Sequence, residues 1–270
     1  MLKEAVISPK PRHRLTTRLW HWINALCLLV LLMSGLTIFN AHPRLYWGEY
    51  GANNDHAWLA VGSSERTGYL RLGEMRIETT GFLGNWKDSE GRTRTWAFPG
   101  WATIPSNYSL ADGRRWHFFF AWIFALGLTL FMIRSLWNRH IQKDLHMRAE
   151  EWRPSHIWHS LRDHTRISVI RKSSGEPYNV IQKLTYIGVI FILLPLMIAT
   201  GLTMSPAMDA NWPFLTDLLG GRQSARSVHF LTAFLLVVFF LIHIVMVLLS
   251  RPVRQIRAMI TGGHTRESGQ

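Results

Sequence analysis

The sequence predicts an all-α integral membrane protein, a four-transmembrane-helix bundle with both termini cytoplasmic and a long periplasmic loop between helices 1 and 2. Three observations predict it. Four apolar runs, 19–39 (LWHWINALCLLVLLMSGLTIF), 116–133 (WHFFFAWIFALGLTLFMI), 184–202 (LTYIGVIFILLPLMIATGL) and 228–250, stand apart from the rest of the 270 residues. Each is close to the ~20 residues a spanning helix needs, and in hydrocarbon a spanning segment must satisfy its own backbone hydrogen bonds, which a helix does. Charge is partitioned around these runs, with 12 of the 13 net positive charges on one side of the membrane. That side is the cytoplasm, where Lys and Arg accumulate in segments flanking spans.

The chain divides accordingly. Residues 1–18, a basic cytoplasmic N-terminus, carry five Lys/Arg and one acid. The first run is longer than the apolar region of a typical secretory signal and lacks a small-residue cleavage site, so it stays as helix 1, 19–39. The periplasmic insertion 40–113 is rich in Gly, Trp and Asn. Its composition predicts turns with short strands or helices packed on the membrane surface or a partner, without a large independent core. Helix 2 covers 116–137. The cytoplasmic loop 138–183 contains EEWRPSHIWHSLRDHTRI, in which Ser155 is placed to cap a basic amphipathic surface helix. Helix 3 (184–202), helix 4 (228–250) and a cytoplasmic tail, 251–270, complete the chain. Trp20, Trp22, Trp116, Trp137 and Trp212 fall near span ends, where indole rings favour the interface. No internal repeat is apparent.

Several chemistries are excluded. Cys27 is the single cysteine, so there is neither an internal disulfide nor an iron–sulfur cluster. No C-x-x-C-H, phosphate-loop, H-E-x-x-H or G-x-S-x-G motif is present. The basic residues flank spans and meet the headgroups of the lipid bilayer, which argues against nucleic acid as a partner.

The histidines carry the positive signal. In VHFLTAFLLVVFFLIHIV, His229 and His243 lie fourteen residues apart. Fourteen residues return a helical side chain to within about 40° of its starting direction, about 21 Å along the axis. His21 enters helix 1 from the cytoplasm and His117 enters helix 2 from the periplasm. Helix 4 runs inward, so His229 matches the depth of His117, and His243 that of His21. A lone intramembrane histidine is more often a hydrogen-bonding residue. Two depth-matched pairs instead suit two non-covalent b-type haems, each iron held by two imidazoles, His117/His229 on the periplasmic side and His21/His243 on the cytoplasmic side. Zinc fits less well, because it takes four ligands or three plus water. The spans hold no carboxylate for a proton relay.

Gly35 lies fourteen residues after His21 and presents a side-chain-free surface at the outer depth, which either clears a porphyrin or allows close helix packing. Arg18, Arg114, Arg115 and Arg226 lie near the proposed ligands, where they either pair with haem propionates or extend to the headgroups.

The 2+1+1 distribution of histidines, the stretch RLWHWINALCLLVLLMSGLTIF, the run YNVIQKLTYIGV before helix 3 and the fourteen-residue pair in helix 4 resemble the bacterial di-haem cytochrome b561 superfamily. More closely, they resemble the membrane cytochrome b subunits of thiosulfate reductase, nickel–iron hydrogenase and formate dehydrogenase. The resemblance implies that 19–250 forms a di-haem membrane domain in the bacterial inner membrane, an electron-transfer subunit of an oxidoreductase complex and not a complete enzyme. It implies exchange between membrane quinone and an extracytoplasmic redox subunit, whether molybdopterin oxidoreductase, hydrogenase or c-type cytochrome. FNAHPRLYWG looks most like the thiosulfate-reductase branch, whereas the long 40–113 segment departs from the formate dehydrogenase branch. The competing expectation is a haem-free transporter or anchor subunit whose histidines are structural.

Overall fold

A computed structural model of the chain describes residues 15–52, 55–137, 180–249 and 252–263; the helix expected after Ser155 lies outside them. In chain order, α1 (Leu15–Asn40) leads into strands β1 (Arg44–Leu45), β2 (Leu59–Ser64), β3 (Thr67–Leu72), β4 (Met75–Glu78), β5 (Trp86–Lys87) and β6 (Thr93–Arg94). Next come α2 (Leu110–Trp137) and α3, which is helical over Val180–Ile187 and Leu194–Thr203 around a π-helical Gly188–Leu193. Short α4 (Pro206–Asn211) and α5 (Phe214–Leu218) lead to α6 (Arg222–Leu249) and α7 (Pro252–Thr261). Four helices, α1, α2, α6 and the Leu184–Thr203 part of α3, are long and apolar enough to cross a membrane.

Local chemistry sets several boundaries that hydropathy misses. The apolar run predicts that helix 2 starts at 116, but α2 starts six residues earlier. The Ser109 hydroxyl accepts from the Asp112 amide at 3.3 Å and donates to the Asp112 carboxylate at 2.7 Å, a side-chain cap on the first turn. His117 therefore lies two turns inside the helix. The π segment of α3 ends just before Pro195. Proline has no N–H to donate and its ring clashes with the carbonyl four residues back, here Phe191, and a wider turn relieves both. The segment that follows the fourth span carries α7, whose Arg254 and Arg257 alternate with Val253 and Ile256 in amphipathic fashion.

The segment after α1, where short strands or helices are expected, adds strands to the helical fold. It forms an antiparallel sheet of order β1-β2-β3-β4 and a separate β5-β6 ribbon. Two-residue turns join Ser64 to Thr67 and Leu72 to Met75. The first places Glu65 at φ 55. Such turns normally announce themselves with Gly or Asn, and Glu65-Arg66 supplies neither, so the hairpin is hidden in the sequence.

The described residues form two compact units. One takes in residues 15–26, 180–185, 238–249 and 252–263, the other 27–52, 55–137 and 186–237. In the second, the sheet has no core of its own. Leu45, Leu59, Val61 and Ala97 pack on Phe39 at the end of α1, with Phe230 of α6 against the same cluster. The Phe39 and Phe230 rings stack with centroids 5.0 Å apart. Trp58 donates its indole N–H to Ser227 at 2.9 Å, and Ser227 donates to the Tyr46 carbonyl at 2.5 Å. The Gly48 carbonyl accepts the Gln223 and Ser224 amides, each at 3.1 Å, and so caps the first turn of α6. Gly221 makes this approach possible. At φ +106, a Cβ there would stand 2.5 Å from the Gly48 carbonyl.

The β5-β6 turn is organised by Asp88. One carboxylate oxygen accepts the Glu90 and Arg92 amides, while the other meets Arg94 Nε at 2.9 Å and Arg92 Nε at 3.2 Å. Desolvation opposes ionisation of Asp88, but the Arg92 amide, the two guanidinium groups and the Glu90 amide outweigh it and hold the carboxyl down at about 2. A carboxylate depressed in the fold stabilises it above the ordinary carboxylate range, and that contribution is lost as pH falls through the folded value. Near-ultraviolet circular dichroism of Trp86 and Trp96 is expected to hold down to about pH 4 and to fade toward pH 2, the loss shifting to neutral pH in Asp88→Ala.

Candidate functional site

In the second unit, His117 of α2 faces His229 of α6 with ring centroids 6.4 Å apart and ring planes at 61°. In the first unit, His21 of α1 faces His243 of α6 at the same 6.4 Å, with planes at 50°. The two pairs anticipated from depth are the two pairs found. The spacing itself is informative. An imidazole nitrogen binds a first-row metal at about 2.0–2.1 Å, and its ring centre lies about 1.1 Å further out, so two imidazoles sharing one ion put their centroids about 6.3 Å apart. Direct hydrogen bonding or stacking would bring them closer. Both pairs therefore fit an iron between them, and among the described residues no cluster of three or more His, Cys, Asp or Glu offers a fuller protein ligand set.

Each ring in the second unit is held from behind. Ser34 Oγ lies 3.1 Å from His117 Nδ1, and Thr200 Oγ1 lies 2.8 Å from His229 Nδ1. Both hydroxyls also donate to the carbonyl four residues back, Ser34 to Val30 at 2.6 Å and Thr200 to Leu196 at 2.7 Å. With its proton committed there, each oxygen is left to accept, so Nδ1 carries the hydrogen. The Nε2 lone pair is then free to bind a metal.

Glycine completes each contact. A Cβ on Gly35 would stand 3.4 Å from His117 Cε1, and one on Gly201 would stand 3.5 Å from His229 Cε1. The surface left clear by Gly35 is thus taken up by an imidazole edge. One turn before His117, Gly113 lies against Thr37, where a Cβ would come within 2.8 Å of Thr37 Cγ2. That close approach of α1 and α2 brings His117 onto Ser34.

Ser34, Gly113, Thr200 and Gly201 escaped sequence reasoning, yet a signal was present. Residues 34–37 read SGLT and residues 200–203 read TGLT. These two short stretches, differing at one position, take the same structural role on two spans. Both closing threonines, Thr37 and Thr203, are buried and donate to the carbonyl four residues back.

The arginines are placed differently from one another. Arg18 donates to the Ile260 carbonyl, and Trp22 to the Met259 carbonyl at 3.2 Å, so both satisfy the C-terminal turn of α7. Arg115 is exposed and paired with Asp112 at 3.2 Å on its own helix. Arg114 lies over the Phe118 ring. Arg226, three residues before His229, donates to the His42 carbonyl at 2.5 Å and lies over Phe39. Burial, then the Arg226 and Arg44 charges, lowers the pKa of His42, which stacks on Tyr46.

The chain is 25% identical over 251 residues to a putative protein-methionine-sulfoxide reductase subunit, YedZ1, of Azospira oryzae, an alignment covering 91% of this chain and 93% of the relative. No solved structure matches it. The family model for prokaryotic cytochrome b561 matches residues 12–262. The histidine-bearing spans and this match over nearly the whole length lead to one conclusion: the chain belongs to the prokaryotic cytochrome b561 family, multi-pass inner-membrane haem proteins of electron transport.

Proposed function

We propose that this protein is a di-haem b-type cytochrome that passes electrons between a catalytic oxidoreductase subunit outside the cytoplasm and the membrane quinone pool. The observation that carries the reading is the equal 6.4 Å spacing of the two histidine pairs. Haem bound between two imidazoles supplies a one-electron couple at its iron. His117 and His229 would hold one such group, through the Nε2 atoms left free by Ser34 and Thr200, and His21 and His243 would hold the other. Ser34 and Thr200 keep the first two rings in place.

Orientation follows from charge. The basic flanks put both termini and the 138–183 loop in the cytoplasm, the 40–113 segment in the periplasm, and His117/His229 on the periplasmic side. The relative from Azospira oryzae is named as a reductase subunit, which supports a catalytic partner for this chain too. The sheet-bearing segment, which caps α6 through Gly48, is the surface offered to that partner, with quinone on the cytoplasmic side by His21/His243.

Two measurements on one preparation test this. Purified protein is expected to show a strong Soret band that shifts on reduction by a quinol, whereas a colourless protein would return the chain to the anchor class. In a Cys27→Ser background, Glu74→Cys in the highly exposed β3-β4 turn is expected to react with an impermeant thiol reagent added outside spheroplasts, and Ser160→Cys to stay unlabelled. The reverse pattern inverts the topology and exchanges the inner and outer haems.

A further inference from the structure

We propose that Ser34 and Thr200 are matched positioning residues for the two ligands of one haem, each setting the ring plane and the Nδ1–H tautomer of its histidine from the same [Ser/Thr]-Gly-Leu-Thr turn. The inference rests on the ligand assignment of the preceding section and goes beyond it, because it concerns residues that touch no iron.

Four observations carry it. The contacts are equivalent, a hydroxyl at 3.1 Å from His117 Nδ1 and one at 2.8 Å from His229 Nδ1. Ser34 and Thr200 are both fully buried, so water does not compete for the bond. Each hydroxyl is itself oriented by donating to a carbonyl one turn back, with second acceptors at Leu31 (3.3 Å) and Met197 (3.2 Å). In each turn the following glycine lies beside the ring edge, a Cβ there standing 3.4 Å from His117 Cε1 on α1 and 3.5 Å from His229 Cε1 on α3. Two separate spans have arrived at one device, which chance packing of a lone polar residue does not explain.

The physical consequence is electronic as well as steric. An imidazole that donates from Nδ1 is a more basic ligand at Nε2, and its ring cannot rotate freely about the metal bond. A more basic ligand favours the ferric state. Losing the hydroxyl therefore raises the midpoint potential of that haem and frees its ring orientation, which the low-spin ferric electron paramagnetic resonance signal reads directly.

The test uses the full-length protein in detergent or nanodiscs and four variants. Thr200→Val keeps shape without the hydroxyl, and Thr200→Ser keeps the hydroxyl without the methyl; Ser34→Ala and Ser34→Thr do the same on α1. Thr200→Val and Ser34→Ala are expected to shift the g-values and raise the potential of the same haem, to leave the other haem's signal unmoved, and to weaken haem retention by about ten- to a hundred-fold. Thr200→Ser and Ser34→Thr are expected to match the parent. Loss of that haem in Thr200→Val with its retention in Thr200→Ser supports the proposal equally. A parent-like signal and potential in Thr200→Val shows that Thr200 only packs, and overturns it. Signals of different haems moved by the two positions overturn it as well. Failure of the ligand assignment looks different: His229→Ala would then keep both haems.

Discussion

Alanine at His229 is expected to remove the same haem as alanine at His117, and alanine at His243 the same haem as alanine at His21. In each case the haem content of purified protein, measured as pyridine haemochrome, falls from two per chain to one, and one of two low-spin signals disappears. The expectation is this sharp because each pair offers two imidazoles and nothing else. Among the described residues no third ligand stands ready to replace a lost one. His56, exposed beside Glu74 at 3.6 Å, provides the control, and His56→Ala is expected to keep both haems. If the His117 and His21 variants lose the same haem, the pairing is wrong.

The second large effect is on exchange with the partner. Phe82→Ser combined with Trp101→Ser is expected to leave both haem spectra intact while slowing electron exchange with the catalytic subunit by about thirty-fold or more, the consequence of losing an interfacial anchor worth about 2 kcal/mol. Both rings are solvent-facing, Phe82 at 75% and Trp101 at 78%, an unusual state for large aromatics and one that binding would relieve. The tryptophans of this segment are not equivalent. Trp86 is buried, donates to the Trp96 carbonyl at 3.1 Å and belongs to the fold. Trp58 is tied to Ser227. Removing the whole segment would take Leu45, Leu59 and Val61 off Phe39 and Phe230 and uncap α6, so it would disturb His229 along with any docking surface. Stopped-flow reduction of the double variant separates the two effects. An unchanged rate rejects docking at these residues, and weakened binding to lipid vesicles with an unchanged rate assigns them to the membrane surface.

Much of the architecture is legible in the chain because lipid leaves few alternatives. A run such as LTYIGVIFILLPLMIATGL has to become a helix in hydrocarbon, and His229 and His243, fourteen residues apart, have to face nearly one way. What stays hidden depends on groups that meet across long sequence separations. Glu65-Arg66 forms a tight turn without a turn residue because β2 and β3 pair on either side of it. Ser34 reads as an ordinary small residue of a span until His117, 83 positions away, arrives beside it. The repeat SGLT and TGLT was visible, but four residues carry no weight until both copies are seen gripping an imidazole.

The sequence by itself thus determined the spans and the histidines they carry, because these follow from hydropathy and helical period, which are properties of one segment at a time. Only the tertiary structure decided that both pairs close to the same distance, which hydroxyl holds which ring, and that the long connection is a sheet seated on the ends of α1 and α6. Those outcomes are set by close packing and by hydrogen bonds that buried groups must find, and their partners lie far away along the chain.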